Sequence, residues 1–455
     1  MAADYAVEGQ PGRRAGRTRL VLVLLAASIL NFADRSVFSV LAQTIKVDLR
    51  LSDLELGLLQ GLMFALLYAI AGLPIGMLAE RMRRTRLIAG ALVLWSLATA
   101  ATGLATGFMQ LAAARLGLGL GLAGFTPAAA SLVADVSVRT RRASTMAVVQ
   151  LGSPAGAFFG STIAGLVAAA YDWRTAFLAF AVPGFVVAAL LLWLTPEPER
   201  GQQDAGAASQ STAPSLGEFF RTVAGQPTLM WVIAGGAIAG FGMTSVSNFL
   251  AVFLARSYGL AVGEAGALFG TVSGVGLATG LLLGSFGTDR LAGKDPRWPA
   301  WGAAIGLSLA PPIYWFAFSV PPLPVAIATL LVGGAMLLVF YGPTSGMIQN
   351  LLPARMRATG IALYTLLFTL IGSGLGPVFV GGLSDAMATR AYAGAFPVDC
   401  PKGLAVEGAA PDIVAACAAA SAQGLQMALA VAVSMLFVSA ACFLMAARGL
   451  KPQAE

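Results

Sequence analysis

Two side chains of opposite charge stand side by side within an apolar stretch near the start of the chain. Asp34 and Arg35 end the sequence Asn31-Phe-Ala-Asp-Arg, and residues 20–30 and 37–42 around it carry no charge. A charged side chain inside hydrocarbon is costly, so it persists where it pairs, meets water or handles cargo. The pattern has two interpretations, a structural ion pair or the lining of a transport pathway, and we favour the second.

A third charge lies at a similar predicted depth. Asp34 is fifteen residues from Arg19, and Arg115 is seven residues from Phe108 on a segment that runs the opposite way. At a rise of about 1.5 Å per residue, Asp34 lies about 22 Å from one face of the bilayer and Arg115 about 10 Å from the other. In a hydrocarbon core about 30 Å thick, the two side chains share nearly one level.

The composition is that of an integral membrane protein. Of the 455 residues 58% are hydrophobic and only 11% are charged, with a mean hydropathy of +0.80. The chain has no His, which excludes a histidine metal site, a Ser-His-Asp triad and a histidine proton relay, and it has no GxxxxGK[ST] loop for ATP. We therefore predict a membrane protein that is not an enzyme, with no cofactor, no metal and no nucleic-acid partner.

Apolar runs long enough to span a bilayer form two sets of six. They cover approximately residues 19–43, 54–79, 86–106, 108–136, 143–170, 174–195, 228–257, 263–288, 298–319, 322–352, 357–388 and 419–447. The polar break between the sets is rich in Ser, Gln, Ala and Pro, as is typical of a linker. The predicted organisation is a tail 1–18, a six-helix bundle 19–196, a linker 197–227, a second six-helix bundle 228–447 and a tail 448–455.

The basic residues indicate the orientation. With the N-terminus in the cytoplasm, the inside segments hold twenty Lys and Arg residues and the outside loops hold six. This asymmetry agrees with the positive-inside rule and predicts cytoplasmic termini and a cytoplasmic linker. Of the 28 basic residues 24 are Arg, which suggests a GC-rich bacterial genome and hence a bacterial inner membrane.

The two halves carry similar short motifs of Gly, acidic and Arg residues at matching positions. Gly76-Met-Leu-Ala-Glu-Arg follows the second apolar run, and Gly284-Ser-Phe-Gly-Thr-Asp-Arg follows the eighth. Arg139-Thr-Arg-Arg and Arg355-Met-Arg follow the fourth and tenth runs. Such repetition indicates a duplicated six-helix unit. Topology explains the number of Arg residues here, but not the acids that end the second, fourth and eighth runs.

These features resemble the major facilitator superfamily. The segment from Gly76 is similar to its cytoplasmic loop signature, with Glu80 where Asp is usual. Within the superfamily the chain resembles the spinster-like transporters, which carry lysolipids and sphingolipids. That likeness rests on Asn31-Phe-x-Asp-Arg, Asp48-Leu-x-Leu-Ser-Asp, Trp95-Ser and Trp173-Arg-x-Ala-Phe. One departure is Leu122, which stands where that subfamily has a membrane Glu.

The resemblance implies an all-α fold of twelve transmembrane helices in two pseudo-symmetric six-helix bundles, working by alternating access. The first and fourth helices line the central cavity in this superfamily, so Asp34 is expected to pair with Arg115 or with Arg35. The charge clusters at the cytoplasmic helix ends are expected to form an inside gate. Its candidate residues are Glu80, Arg81, Arg84, Asp135, Arg139, Arg142, Asp289, Arg290, Arg355 and Arg357.

The candidate substrate-binding residues include charged side chains only in the first half, and those of the second half are all neutral. They are Asn31, Arg35, Arg115, Asn248, Tyr341, Tyr364 and Thr369. For the neutral residues, a hydrogen bond between helices is the more common role. One charged wall and one apolar wall suit an amphipathic ligand with an anionic head.

We therefore predict a monomeric, proton-coupled secondary transporter of an anionic, lipid-like substrate, with Asp34 as the proton-responsive residue. The alternative is a symporter or antiporter of a small organic anion or drug. A separate question concerns Cys400 and Cys417, which lie in the longest predicted outside loop. An exported loop is oxidising, so the two residues either form a disulfide or remain free thiols.

Overall fold

The chain is helical throughout the part that the structure describes. The computed structural model describes residues 11–137, 142–195, 197–198, 216–353 and 356–450, apart from the side chains at a few positions. The first nine helices are α1 (Pro11–Leu49), α2 (Asp53–Gln60), α3 (Leu62–Arg81), α4 (Arg84–Gly103), α5 (Phe108–Ala123), α6 (Phe125–Val136), α7 (Arg142–Gln150), α8 (Gly152–Ala170) and α9 (Trp173–Leu194).

The remaining α-helices begin at Leu216, so the first of them lies inside the predicted linker 197–227. They are α10 (Leu216–Ala224), α11 (Pro227–Tyr258), α12 (Val262–Leu282), α13 (Thr288–Ala292), α14 (Trp298–Phe318), α15 (Leu323–Leu338), α16 (Tyr341–Leu351), α17 (Arg357–Leu367), α18 (Gly376–Ala391), α19 (Phe396–Asp399) and α20 (Pro411–Gly449). Two π-helical segments, Leu283–Gly287 and Phe368–Leu375, join α12 to α13 and α17 to α18.

Eleven helical stretches of the described residues are long and apolar enough to cross a membrane. The predicted ninth span is the one outside that count, because Pro311, Pro312 and Tyr314 lower the mean hydropathy of α14. This helix still has 21 residues, and it packs against α15 and α20. The prediction of an all-α, twelve-helix membrane fold is confirmed.

Contacts group the chain into two compact units. Unit 1 comprises Met1–Phe38 and Met63–Gln210, and unit 2 comprises Ser39–Leu62 and Ser211–Glu455. The boundary cuts α1 after Phe38. The segment Ser39–Leu62, called the α1–α2 hairpin below, therefore packs with helices of the C-terminal half, and α2 lies against α18.

Close helix packing in unit 1 positions the predicted charged residues. A Cβ atom added at Gly160 of α8 would lie 2.6 Å from the Cα atom of Ala33, so the two backbones touch one residue before Asp34. A Cβ atom at Gly121 of α5 would lie 2.9 Å from the backbone nitrogen of Trp95. These glycines let α1 and α5 approach their neighbours closely enough to bury the charges that they carry.

The π-helical segment Phe368–Leu375 in unit 2 ends just before Pro377. Proline lacks the N–H group that an α-helix would use at this point, so the backbone there must rearrange. The Gly372 carbonyl within the segment accepts a hydrogen bond of 2.6 Å from the hydroxyl group of Thr244 on α11. π-Helical segments are rare, and those that occur inside α-helices are frequent at functional sites.

Candidate functional site

Asp34 and Arg115 are both buried inside unit 1. Each side chain is 4% exposed, Asp34 on α1 and Arg115 on α5. They interact electrostatically, but within the described residues no ion pair of 4.0 Å or less joins them. Of the two pairs expected from the sequence, the one between Asp34 and Arg115 is therefore not a close ion pair, and the Arg115 guanidinium lies over an aromatic ring instead.

That ring belongs to Phe38, whose centroid is 3.6 Å from the central carbon of the Arg115 guanidinium. Stacking satisfies the face of the guanidinium but not its N–H groups. In the described part of the chain, the Nε and Nη2 atoms of Arg115 are buried and have no hydrogen-bond partner. A buried charged donor without an acceptor is costly, so this geometry favours a ligand or a water molecule at the site.

Arg35 also lies among aromatic side chains. Its guanidinium carbon is 4.8 Å from the ring centroid of Phe64, 5.5 Å from that of Tyr68 and 5.6 Å from that of Phe32. Asn31 lies one turn before Asp34 on α1 and is 4% exposed. Unit 1 thus brings together three of its predicted residues on one stretch of α1.

Sequence reasoning missed Thr99 of α4, which lies beside the Asp34 carboxyl group. Its hydroxyl is buried, and no hydrogen bond to it is formed among the described atoms. A threonine in an apolar span gives no distinctive signal, since Thr also bonds to its own helix backbone. Its proximity to Asp34 could only come from the packing of α4 on α1.

Among the neutral candidates of unit 2, Asn248 makes hydrogen bonds within its own helix and to another helix. Asn248 donates a hydrogen bond of 2.8 Å to the Thr244 carbonyl and accepts one of 3.2 Å from the Ser39 hydroxyl. This is the helix-to-helix role given above as the common one. Thr369, by contrast, is 6% exposed within the π-helical segment.

The two tyrosine candidates belong to one aromatic cluster around Phe368. Its ring centroid is 6.0 Å from that of Tyr341 and 5.9 Å from that of Tyr364. The Tyr341 side chain is 42% exposed. The Tyr364 hydroxyl is buried without a hydrogen-bond partner in the described part of unit 2. An apolar surface with one free hydroxyl can contact a ligand but supplies no charge to it.

Two of the predicted gate residues, Arg84 and Asp135, lie in one buried cluster of unit 1, in which Arg84 is 2% exposed. Arg84 forms an ion pair with Asp135 and donates its Nε–H to Glu197 at 2.9 Å. Glu197 also accepts hydrogen bonds from the backbone N–H and the hydroxyl of Thr85, at 2.9 and 2.7 Å. Glu197 lies in the predicted linker and also belongs to the spinster-like motifs, as Glu197-Pro198, but the sequence did not place it in the gate; here it contacts Arg84 and Thr85 at the start of α4.

Two effects oppose each other at Glu197, which lies outside the membrane-spanning segments. Burial raises the pKa of its carboxyl group, but the hydrogen bonds from Thr85 and Arg84 outweigh burial. The pKa therefore lies below its ordinary value of 4.5. Glu197 is therefore a carboxylate that binds the first two residues of α4.

The other gate candidates are dispersed or lie outside the described atoms. Arg142 donates to the Ser137 carbonyl at 3.3 Å and Arg357 to the Leu352 carbonyl at 3.2 Å, which are local bonds at helix starts. Three arginine candidates are exposed, namely Arg81, Arg290 and Arg357. The side chains of Glu80 and Asp289, and the whole of Arg139 and Arg355, lie outside the described residues.

Unit 2 contains a buried charge network that the sequence did not reveal. Asp53 accepts hydrogen bonds from Lys46 at 2.6 Å and from both terminal nitrogens of Arg256 at 2.6 and 2.7 Å. Lys46 and Arg256 are two of the six basic residues that the sequence places in outside loops. The nearby Cys400 and Cys417 are joined by a disulfide, with Cα atoms 5.6 Å apart.

Comparison with known proteins gives a consistent family. A sequence model of the Major Facilitator Superfamily matches residues 24–377. An MFS-type efflux pump of Mycolicibacterium smegmatis is 33% identical over 365 residues, which is 80% of this chain and 84% of that protein. The hexuronate transporter of Bacillus subtilis is 31% identical over 196 residues, 43% of this chain and 46% of that protein.

A solved structure agrees with this family over nearly the whole chain. The crystal structure of a bacterial homologue of the human lysosomal transporter Spinster, in an inward-facing and unoccupied conformation, superposes with a TM-score of 0.83. The two sequences are 28% identical, and the match covers 96% of this chain and 99% of that one. The chain therefore belongs to the major facilitator superfamily, as a spinster-like transporter and not an enzyme.

Proposed function

We propose that this transporter moves an anionic amphipathic molecule with a lysolipid- or sphingolipid-like shape. The observation that supports it best is the buried Arg115 guanidinium, which rests on Phe38 and has two donor nitrogens, Nε and Nη2, with no hydrogen-bond partner among the described residues. Such donors bind carboxylate or phosphate oxygens strongly, because the hydrogen bonds are charge-assisted. Arg35, surrounded by three aromatic rings, supplies a second positive charge for the same head group.

The apolar part of the substrate is assigned to aromatic surfaces. In unit 1, Phe64 and Tyr68 stack against each other beside Arg35, with ring centroids 5.6 Å apart. An acyl or sphingoid chain gains affinity from such surfaces, whereas a small polar acid does not.

A small organic anion is the alternative substrate class. The Bacillus subtilis relative is named for hexuronate, which is a carboxylate without an apolar tail. Arg115 suits that chemistry equally well, so the head group alone does not separate the two classes. A drug is the other substrate in this alternative, and the Mycolicibacterium smegmatis relative is named as an efflux pump.

We assign proton coupling to Asp34 and gating to the Arg84 cluster. The Asp34 carboxyl is buried close to Arg115, so its protonation changes the charge that a substrate meets. Arg84, Asp135 and Glu197 tie α4, α6 and the start of the linker together on the predicted cytoplasmic side. Rearrangement of such a cluster during alternating access is the gating role proposed from sequence.

The predicted setting completes the proposal. We place the protein in a bacterial inner membrane as a monomer, with its termini and the 197–227 linker in the cytoplasm. The bundles 19–196 and 228–447 are its two moving halves. The positive-inside count supports this orientation. A cysteine introduced at Asp204 and labelled only from the periplasmic side would contradict it.

The experiment that separates the two substrate classes is a binding panel on the purified protein. The panel contains an anionic lysophospholipid, an uncharged monoacylglycerol of the same chain length, a hexuronate and a dicarboxylate. We expect calorimetry to show binding of the lysophospholipid and weaker binding of the uncharged lipid. Binding of the hexuronate or the dicarboxylate, with none of the lysophospholipid, would establish the alternative.

A further inference from the structure

Gln60 is a buried amide of unit 2 for which the fold supplies no hydrogen-bond partner. It is the last residue of α2, in the α1–α2 hairpin, and its side chain is 8% exposed. Among the described residues, neither its Oε1 atom nor its Nε2 atom makes a hydrogen bond. A side-chain amide can accept two hydrogen bonds and donate two, so the whole hydrogen-bonding capacity of this side chain is unused.

The position of Gln60 in a membrane span makes this arrangement costly. The helical stretch Asp53–Gly72 is long and apolar enough to cross a membrane, and Gln60 lies seven residues, or about 10 Å, inside it. Because hydrocarbon offers no water, a polar side chain in a span normally bonds to a neighbouring helix. Asn248 follows that rule through its bonds to Thr244 and Ser39. Gln60 does not, so helix packing does not account for an amide at this place.

The backbone of the same span is interrupted directly after Gln60. Gly61 separates α2 from α3 and has φ −103° and ψ −91°, which lies outside the α-helical region. Irregular backbone at membrane depth occurs where protein encloses it or where it lines a cavity, because lipid offers no hydrogen bonds to it. Interrupted helices are also the elements from which transporters build ligand sites within the membrane.

A second interrupted helix of unit 2 lies against this break. A Cβ atom added at Gly61 would lie 2.5 Å from the carbonyl oxygen of Gly374, which belongs to the π-helical segment Phe368–Leu375. The same segment is followed by a further unpaired group. The hydroxyl of Ser245 on α11 is buried without a hydrogen-bond partner in the described part of unit 2, and it lies 2.9 Å from the place of a Cβ atom added at Gly376.

We propose that the two helix breaks form a binding site within unit 2 for a neutral amphiphile that carries a hydroxyl group, with the Gln60 amide as its polar anchor. A hydroxyl group both donates and accepts hydrogen bonds, so it can pair with the Oε1 atom or with the Nε2–H group. A phosphate or carboxylate only accepts and an ammonium only donates, so either would leave part of the amide unpaired.

The surroundings of the breaks favour a ligand without charge. Residues 57–64 and 368–377 contain no charged side chain, so a charged ligand would be buried there without a counter-ion. Both breaks lie within apolar spans, so an apolar chain attached to the hydroxyl group remains in a hydrocarbon-like environment. The site differs in chemistry from the head-group site around Arg115, and it does not depend on the proposed function.

Two matched neutral lipids test the role of Gln60. A 1-monoacylglycerol and the propyl ester of the same fatty acid share one carbon skeleton and differ only in two hydroxyl groups. Their affinities are measured by calorimetry on the purified protein in nanodiscs, and the ratio of the two is compared between variants, so that partitioning into the nanodisc cancels. The ratio should fall about fivefold in Gln60→Leu, which corresponds to one neutral hydrogen bond. An unchanged ratio would assign the amide to water alone and overturn the proposal.

Two control variants show whether the effect belongs to this site. The Gln426 amide already has a partner, since it donates to the Ser257 hydroxyl at 3.1 Å, so Gln426→Leu should keep the wild-type ratio. Arg115→Met should also keep it, because neither lipid is charged. If Arg115→Met lowers the ratio as much as Gln60→Leu does, the hydroxyl group binds at the head-group site, and the proposal is wrong.

Thermal unfolding without lipid gives a second measurement of the same side chain. Leucine has a volume similar to that of glutamine and buries no polar atom, so Gln60→Leu should unfold at the wild-type temperature or above it. A lower unfolding temperature, or a variant that does not fold, would show that Gln60 stabilises the protein itself and would contradict a ligand role. Because both lipids are neutral, failure of this site leaves the anionic substrate proposal to the binding panel above.

Discussion

Replacing Arg115 by methionine tests the proposed head-group site most directly. Methionine keeps the length and the apolar contact with Phe38 but has no N–H group to offer a ligand. A hydrogen bond to a charged group contributes about 1.5–3 kcal/mol, and Arg115 has two free donors. The lower end of that range is about 3 kcal/mol for two bonds, which corresponds to a loss of affinity of about 100-fold or more.

Calorimetry with paired lipids separates the head group from the tail. The wild type should bind an anionic lysophospholipid more tightly than an uncharged monoacylglycerol of equal chain length. In Arg115→Met this preference should disappear, while the affinity for the uncharged lipid stays the same. Arg115→Lys keeps the charge but loses the planar fork, so an intermediate preference is expected.

The matched control is Arg174→Met. The guanidinium of Arg174 also stacks on an aromatic ring, 4.2 Å from the Trp173 centroid, but at the start of α9 instead of the middle of a span. The Arg174→Met protein should prefer the anionic lipid as strongly as the wild type does. If well-folded Arg115→Met keeps the preference within about threefold, the reasoning fails, and Arg115 serves only to pack against Phe38.

Three further variants test other parts of the structure. Folding lowers the pKa of Glu197, so its carboxylate stabilises the fold above pH 4.5, and this contribution should fade as the pH falls below that value. In thermal unfolding, Glu197→Gln should not show this decrease of stability at low pH. Asp34→Asn should abolish the pH dependence of anion affinity in calorimetry while the protein stays folded; an unchanged pH profile would leave Asp34 a structural role only. Gly408→Ala should cost about 1–2 kcal/mol of unfolding free energy from its φ of +78° alone, and Gly403→Ala, with φ +79° and Lys46 3.0 Å away, should cost more in the same denaturation assay.

The twelve spans could be predicted because length and apolarity decide membrane insertion. The breaks within them could not. The predicted span 322–352 is divided between α15 and α16, and the span 108–136 is divided between α5 and α6 at Gly124. Hydropathy averages side chains over a window and contains no information on backbone hydrogen bonds. Glycine marks sites where a break is tolerated, but the packing of neighbouring helices decides where one occurs.

The buried charge network around Asp53 was missed for a related reason. Counting basic residues by loop treats each of them as an independent topological signal. Asp53 and Arg256 are 203 positions apart, so their ion pair exists only through tertiary packing. The Ser52–Glu55 capping box at the start of α2 was a local signal that this acidic turn is a helix start. The capping box indicates where α2 begins. It does not indicate that Arg256 of α11 binds the first residue of α2.

The departure at Leu122 becomes understandable from packing. Leu122 is 0% exposed in an apolar core that also contains Trp95 and Phe125. A glutamate introduced there would lose these contacts and bury a carboxylate among apolar side chains, which is costly without a partner. The position is therefore part of the core of unit 1 in this chain. Under the proposed function, Asp34 is therefore the residue that couples transport to protons.

The remaining charges in the spans of unit 1 give the direction of that coupling. Asp34 opposes both Arg35 and Arg115, so with Asp34 ionised these three side chains carry one net positive charge. An anionic head group neutralises this charge. Protonation of Asp34 raises it to two and strengthens the attraction for the anion, since opposite charges attract strongly where water is scarce. Coupling between two ligands is reciprocal, so the bound anion must in turn favour protonation of Asp34. We therefore expect the proton and the anion to bind together and to cross the membrane in the same direction.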